Sequence, residues 1–129
     1  MSLPKLSAYV LILIFLPIST SFADRPSGSQ LLQECNQLLK IENAESSDNI
    51  NLTDAAKCME YTRAVADTAS LYTHFNPVDS DVDICIPPQV TAFQLARVVK
   101  RALENNPEEL HTDRFLLVIS AYISSFPCK

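Results

Sequence analysis

Glycine is nearly absent from this sequence: Gly28 is the single one in 129 residues. That excludes a glycine-rich loop of the kind that cradles phosphate. Histidine is almost as scarce. His74 and His111 are the only two, and neither stands at zinc-finger spacing from a pair of cysteines. No C-x-x-C motif occurs, and no segment alternates apolar and polar residues as a half-buried strand does. Positive charge is short as well, with ten Lys and Arg against fifteen Asp and Glu. An acidic chain gains nothing from counterion release, so nucleic acid is a poor partner, and an anionic membrane surface is equally poor. The negative excess does suit a basic protein partner, through steering of the encounter, although solubility explains it equally well.

What is present begins with an export segment. Lys5 supplies a positive start, residues 9–18 (YVLILIFLPI) form an apolar run, and Ser21-Phe22-Ala23 fits a small-x-small cleavage site. The pattern predicts a secretory signal peptide over residues 1–23, cut after Ala23. The apolar run is shorter than the roughly 20 residues that span a bilayer. With no cysteine at the cleavage site for a lipid, a soluble exported protein without a membrane anchor is expected. Residues 24–129 then form one domain of about 106 residues with a net charge near −6.

Within that domain four segments carry helical periodicity. Residues 28–42 place Leu31, Leu32, Cys35, Leu38 and Leu39 on one face. Residues 53–73 carry a stripe of Ala55, Cys58, Met59, Thr62, Val65, Ala66, Ala69 and Tyr72 at 3–4 spacing. Between them lies a polar connection that ends in the sequon Asn51-Leu52-Thr53, which matters only in a eukaryotic host. The third helix has a written start: Thr91 as cap, Gln94 as its capping-box partner, and Val90 placed to staple onto Leu95. Pro87 and Pro88 keep the preceding chain extended. Its core face is expected to be Leu95, Val98, Val99, Ala102 and Leu103. The fourth helix is expected to start at Asn106, with Pro107 in the first turn and Glu109 closing a box, and to run to about Ser124. Because residues 115–119 are apolar all round, it is expected to be the most buried of the four. The fold class predicted is all-α, a small four-helix bundle.

All four cysteines, Cys35, Cys58, Cys85 and Cys128, lie in the exported part, and an even count in a small exported chain predicts two disulfides. A short turn at Asn105-Asn106 would make the last two helices antiparallel and set Cys85 near Cys128. Cys35 lies about seven residues before the first connection and Cys58 about five after helix two begins, levels that differ by only about 3 Å. The expected pairs are Cys35–Cys58 and Cys85–Cys128, each contributing roughly 3 kcal/mol in the chain-entropy model.

A search for chemistry finds little. Asp79-Ser80-Asp81-Val82-Asp83 opens like a calcium loop, but Ile84 and Val90 stand where that loop needs glycine and glutamate. With the cysteines oxidised, a hydrolase would have to use His74 or His111, and neither stands in a local catalytic pattern. No catalytic set, metal site or cofactor site is expected.

The residues that carry a resemblance are Cys58-Met59-Glu60-Tyr61, then "CIPPQVTAFQLARVV", then "NPEELHTDR", then the terminal "FPC". On these the chain resembles the Rap/Tai family of periplasmic immunity proteins, which neutralise peptidoglycan amidases delivered by type VI secretion. The similarity runs from Cys35 to Cys128; one departure is Ala64, where the family often has glycine. The resemblance implies a periplasmic, non-enzymatic, often dimeric helical protein that occludes the active site of a cysteine–histidine amidase effector. A plug for a narrow cleft must protrude, so loops between rigid helices are the expected contact surface. The candidates are His74, Asp79, Asp81 and Asp83 in residues 74–83, and Asn105, Glu108 and His111 in residues 105–111. The reading from another class is a helical periplasmic protein of the same fold with a different task, in envelope stress or small-ligand binding.

Overall fold

The helix starts among the described residues fall where spare backbone donors find partners. The computed structural model describes residues 25–75 and 83–129; the expected signal peptide, Asp79 and Asp81 lie outside them. The elements are α1 (Gly28–Glu42), α2 (Leu52–Phe75), α3 (Ala92–Asn105) and α4 (Arg114–Ser125). Single 3-10 turns at Ser47–Asn49 and Pro107–Glu109 sit in the connections. Among the described residues there is no strand, only isolated backbone pairings of Ser27 with Asp113 and Ile84 with Pro127. The all-α fold and both disulfide pairs agree with the sequence.

The start of α1 has no side-chain cap. Its first amides are met instead from across the fold: Gly28 donates to the Thr112 carbonyl at 3.1 Å and Ser29 to that of Leu110 at 3.0 Å. The single glycine therefore serves a close approach rather than a turn. A Cβ there would lie 3.2 Å from the Leu110 carbonyl oxygen and would drive into the end of the Leu117 side chain. At its other end α1 closes with Ala44 in the left-handed region, at φ 55°. Glu45 and Ala44 donate back to the carbonyls of Lys40 and Ile41. This is the glycine-type helix stop built without a glycine, at a cost of about 1 kcal/mol.

Asn51 caps α2, its side-chain oxygen accepting from the amides of Thr53 and Asp54, both at 3.1 Å. The box at α3 is present as expected: Gln94 donates its amide to the Thr91 hydroxyl, and Thr91 donates its amide to the Gln94 side chain. The expected start of the fourth helix is not. Asn106 begins only the 3-10 turn and makes no side-chain cap; its amide side chain donates to the Ala102 carbonyl at 2.7 Å and closes α3. The Glu109 carboxylate accepts from the Thr112 hydroxyl rather than closing a box. True α4 starts at Arg114, where the Asp113 carboxylate accepts from the Phe115 amide at 2.8 Å. The cause is tertiary. Carbonyls at Leu110 and Thr112 that a continuous helix would use internally are taken by α1, and the Arg114 amide goes to Pro26. A longer connection thus replaces the short Asn105-Asn106 turn.

In the core, α1 contributes Leu31, Cys35 and Leu38, and α2 contributes Ala55, Cys58, Thr62, Val65, Ala66 and Ala69. From α3 come Leu95, Ala96, Val99 and Leu103; Val98 and Ala102, expected inside, are only half-buried. Tyr72, placed on the core stripe of α2, is exposed. The largest correction concerns α4. Only Val118, Ala121 and Tyr122 are fully buried, with Leu117, Ile119 and Ile123 half-buried against the core, while Phe115 and Leu116 are 43% and 58% exposed. A helix that packs on one side buries one stripe, so a run that is apolar all round leaves Phe115 and Leu116 in water. Tyr122 fixes this helix to α2 by donating to the Thr62 carbonyl at 2.8 Å. Burial pushes its hydroxyl well above the usual tyrosine range.

Candidate partner-binding surface

The contact residues expected from sequence that lie among the described residues fall at two ends of α4. Asp83 stands one residue before Ile84, whose backbone pairs with Pro127 just beyond the end of α4. The Thr73 hydroxyl donates to the Ile84 carbonyl, which brings the end of α2, and with it exposed His74, to the same side. His74 meets Phe75 edge-on, with ring centroids 5.4 Å apart. Asn105, Glu108 and His111 are exposed in the connection that precedes α4. His111 is not in a first helical turn, because that turn begins three residues later. About 18 Å, the length of α4, separates the two groups. No one loop surface holds them both, and the two histidines share no site.

Between those ends runs a groove of about 890 Å³, walled by α3 and α4. Val98, Ala102 and Leu117 give it apolar lining, with Gln94, Ser120 and Ser124 at its polar edges. It reaches Val90 and Phe126 at one end and Asn105, Asn106 and Glu109 at the other. Small residues, Ala102, Ser120 and Ala121, give it depth. Three cations stand together on this part of α3. Arg97 is held by two hydrogen bonds from its guanidinium to the Glu42 carboxylate, which raise its pKa further. Lys100 is held by Glu104. Arg101, exposed on the groove wall, has no ion-pair partner among the described residues.

A second polar cluster went unread in the sequence. Glu34 lies on the inner face of α1 and is 2% exposed. Its carboxylate accepts from Gln30 at 3.1 Å and pairs with Arg114 at 3.5 Å. The Arg114 guanidinium also stacks over the Tyr61 ring, 3.8 Å from its centroid. Burial pushes the Tyr61 hydroxyl up, against the lowering effect of Arg114. The cluster ties α1, α2 and α4 together. Its signal was available: Glu34 falls three residues after Leu31 and one before Cys35, inside the apolar stripe. Such a carboxylate needs a cation, and Arg114 supplies it.

Both bridges are formed, and among the described residues no cysteine is free. No group of three or more His, Cys, Asp or Glu residues able to hold a metal occurs among the described residues. Nor is any helix there long and apolar enough to cross a membrane. The architecture is an acidic helical scaffold with an open groove. Comparison with known proteins gives one result: a family model for Rap1a immunity proteins matches residues 27–128. That span takes in the four described helices, both bridges and the groove. Comparisons with curated proteins and with solved structures returned no match.

Proposed function

The chain belongs to the Rap1a immunity protein family, and we propose on that premise that it protects its own cell by capping a peptidoglycan amidase effector of type VI secretion in the periplasm. Immunity against an effector protein is what family membership carries; the amidase target, the occluded active site and the compartment are our reading. The observation that supports it most is the extent of the family match, which covers nearly the whole exported domain. Capping needs no catalytic residue and no cofactor, and the protein is read as having no activity of its own. The acidic excess of the chain favours encounter with a basic enzyme. Residues 1–23 would direct export and be removed, and the working form would be a homodimer. His74, Asp79, Asp81 and Asp83, together with Asn105, Glu108 and His111, are the proposed rim contacts.

The test is protection. Cells exporting an amidase effector from the same genome should lyse, and co-export of this protein should prevent lysis. Expression of the same chain without residues 1–23, which then stays on the inner side of the membrane, should not protect. Lysis that continues despite abundant, oxidised protein in the periplasm would rule the amidase reading out.

A further inference from the structure

The groove between α3 and α4 connects the two separated rim regions, and its chemistry describes an occupant. We propose that it seats an amphipathic helix of the effector, one that presents a carboxylate to Arg101 and an apolar ridge to Leu116; this rests on the immunity reading above. The shape comes first. The groove is open along one side and follows a helix of twelve residues, about 18 Å or three turns. A cavity for a small molecule would be more enclosed, whereas a rod laid between two helices fits this form.

Charge and exposure then narrow the occupant. Leu116 lines the groove and is 58% exposed, so an apolar ridge laid over it would take that area out of water. On the facing wall Arg97 is already neutralised by Glu42, and Lys100, which lies off the groove, by Glu104, while Arg101 on the wall is not paired among the described residues. A lone cation beside an apolar floor is matched by a carboxylate, which gains strength as water is excluded. At the lower end Glu109 lines the groove and Glu108 stands next to it, so a basic residue at that end of the occupant completes the pattern.

The experiment is calorimetric titration of the oxidised, exported chain with each purified amidase effector of the same genome. Wild type, Arg101→Glu, Leu116→Asp and the control Asp67→Lys on the exposed face of α2 are compared. Each groove variant should bind about thirtyfold more weakly, and the control within about threefold. Arg101 and Leu116 are exposed, so all variants should melt together; this separates lost binding from lost folding. A carboxylate-to-lysine change on the effector helix should restore binding to Arg101→Glu. If both groove variants bind like wild type, the groove assignment is overturned. It is equally overturned if they leave effector affinity intact but split a dimer in sedimentation, since the occupant is then a second copy. If wild type binds none of the amidases, the immunity reading falls first and takes the groove with it.

Discussion

The two helical pairs of this protein are stapled in opposite ways. In α1 and α2 the bridge Cys35–Cys58 sits within the core, with both residues fully buried and Cα atoms 5.0 Å apart. In α3 and α4 the bridge Cys85–Cys128 lies outside the helices, joining the chain before α3 to the chain after α4, and Cys85 is exposed. The first pair is closed along its middle. The second is tied at one end only and leaves a groove along its length. A staple in the core serves stability, and a staple at the end keeps two helices together while their outer faces stay available.

Breaking the inner staple should have the largest effect. The chain-entropy model gives about 3.4 kcal/mol for its 23-residue separation and about 4 kcal/mol for the 43-residue separation of the outer one. Entropy alone thus ranks the outer bridge first. Replacing both inner cysteines with alanine also removes two fully packed sulfurs, adding about 2 kcal/mol and reversing the order. Urea unfolding of the two double variants decides between these. A larger loss for Cys85→Ala with Cys128→Ala would mean that core packing around the inner bridge contributes little.

Next comes Arg114, which joins α4 to the closed pair. Arg114→Met should cost about 2 kcal/mol, less than a fully buried pair would, because Arg114 is one-fifth exposed. Adding Glu34→Leu should restore most of the loss, since it removes the stranded carboxylate. The same unfolding series would show an equal loss in the single and double variants if the cluster's value lay in the stacking of Arg114 on Tyr61 alone. Smaller again, and opposite in sign, is Ala44→Gly. It relieves the left-handed residue that ends α1 and should stabilise by about 1 kcal/mol. Smallest of all is Leu116→Asp, expected within about 0.5 kcal/mol of wild type in the same unfolding series. A clearly larger loss would place Leu116 in the packing of α4 and weaken the contrast between a closed pair and an open one.

Much of this was legible in local spacing. Thr91 and Gln94 announced the start of α3 because a capping box is a contact between residues three apart. The inner bridge followed from the levels of Cys35 and Cys58 on neighbouring helices, and the outer one from the antiparallel order of the last two helices. What escaped depended on distant partners. Asn106-Pro107-Glu108-Glu109 has every local mark of a helix start, yet α1 takes the carbonyls that would have continued it. The apolar run at 115–119 was read as deeply buried because periodicity gives the width of an apolar face, not how many neighbours cover it. Arg101 was visible only as one cation among three; that its neighbours are already paired is a fact of the assembled fold. Of the described rim candidates only Asn105 lines the groove, which no spacing in the sequence could have shown.

Hydrogen exchange along the oxidised, exported chain, alone and with its amidase, tests the central contrast most directly. Binding in the open pair predicts that amides of α3 and α4 from residue 94 to residue 121 slow on complex formation, while α1 and the first half of α2, already protected, do not change. Slowing confined to residues 74–85 or to α1 and α2, with α3 and α4 exchanging as in the free protein, would contradict it.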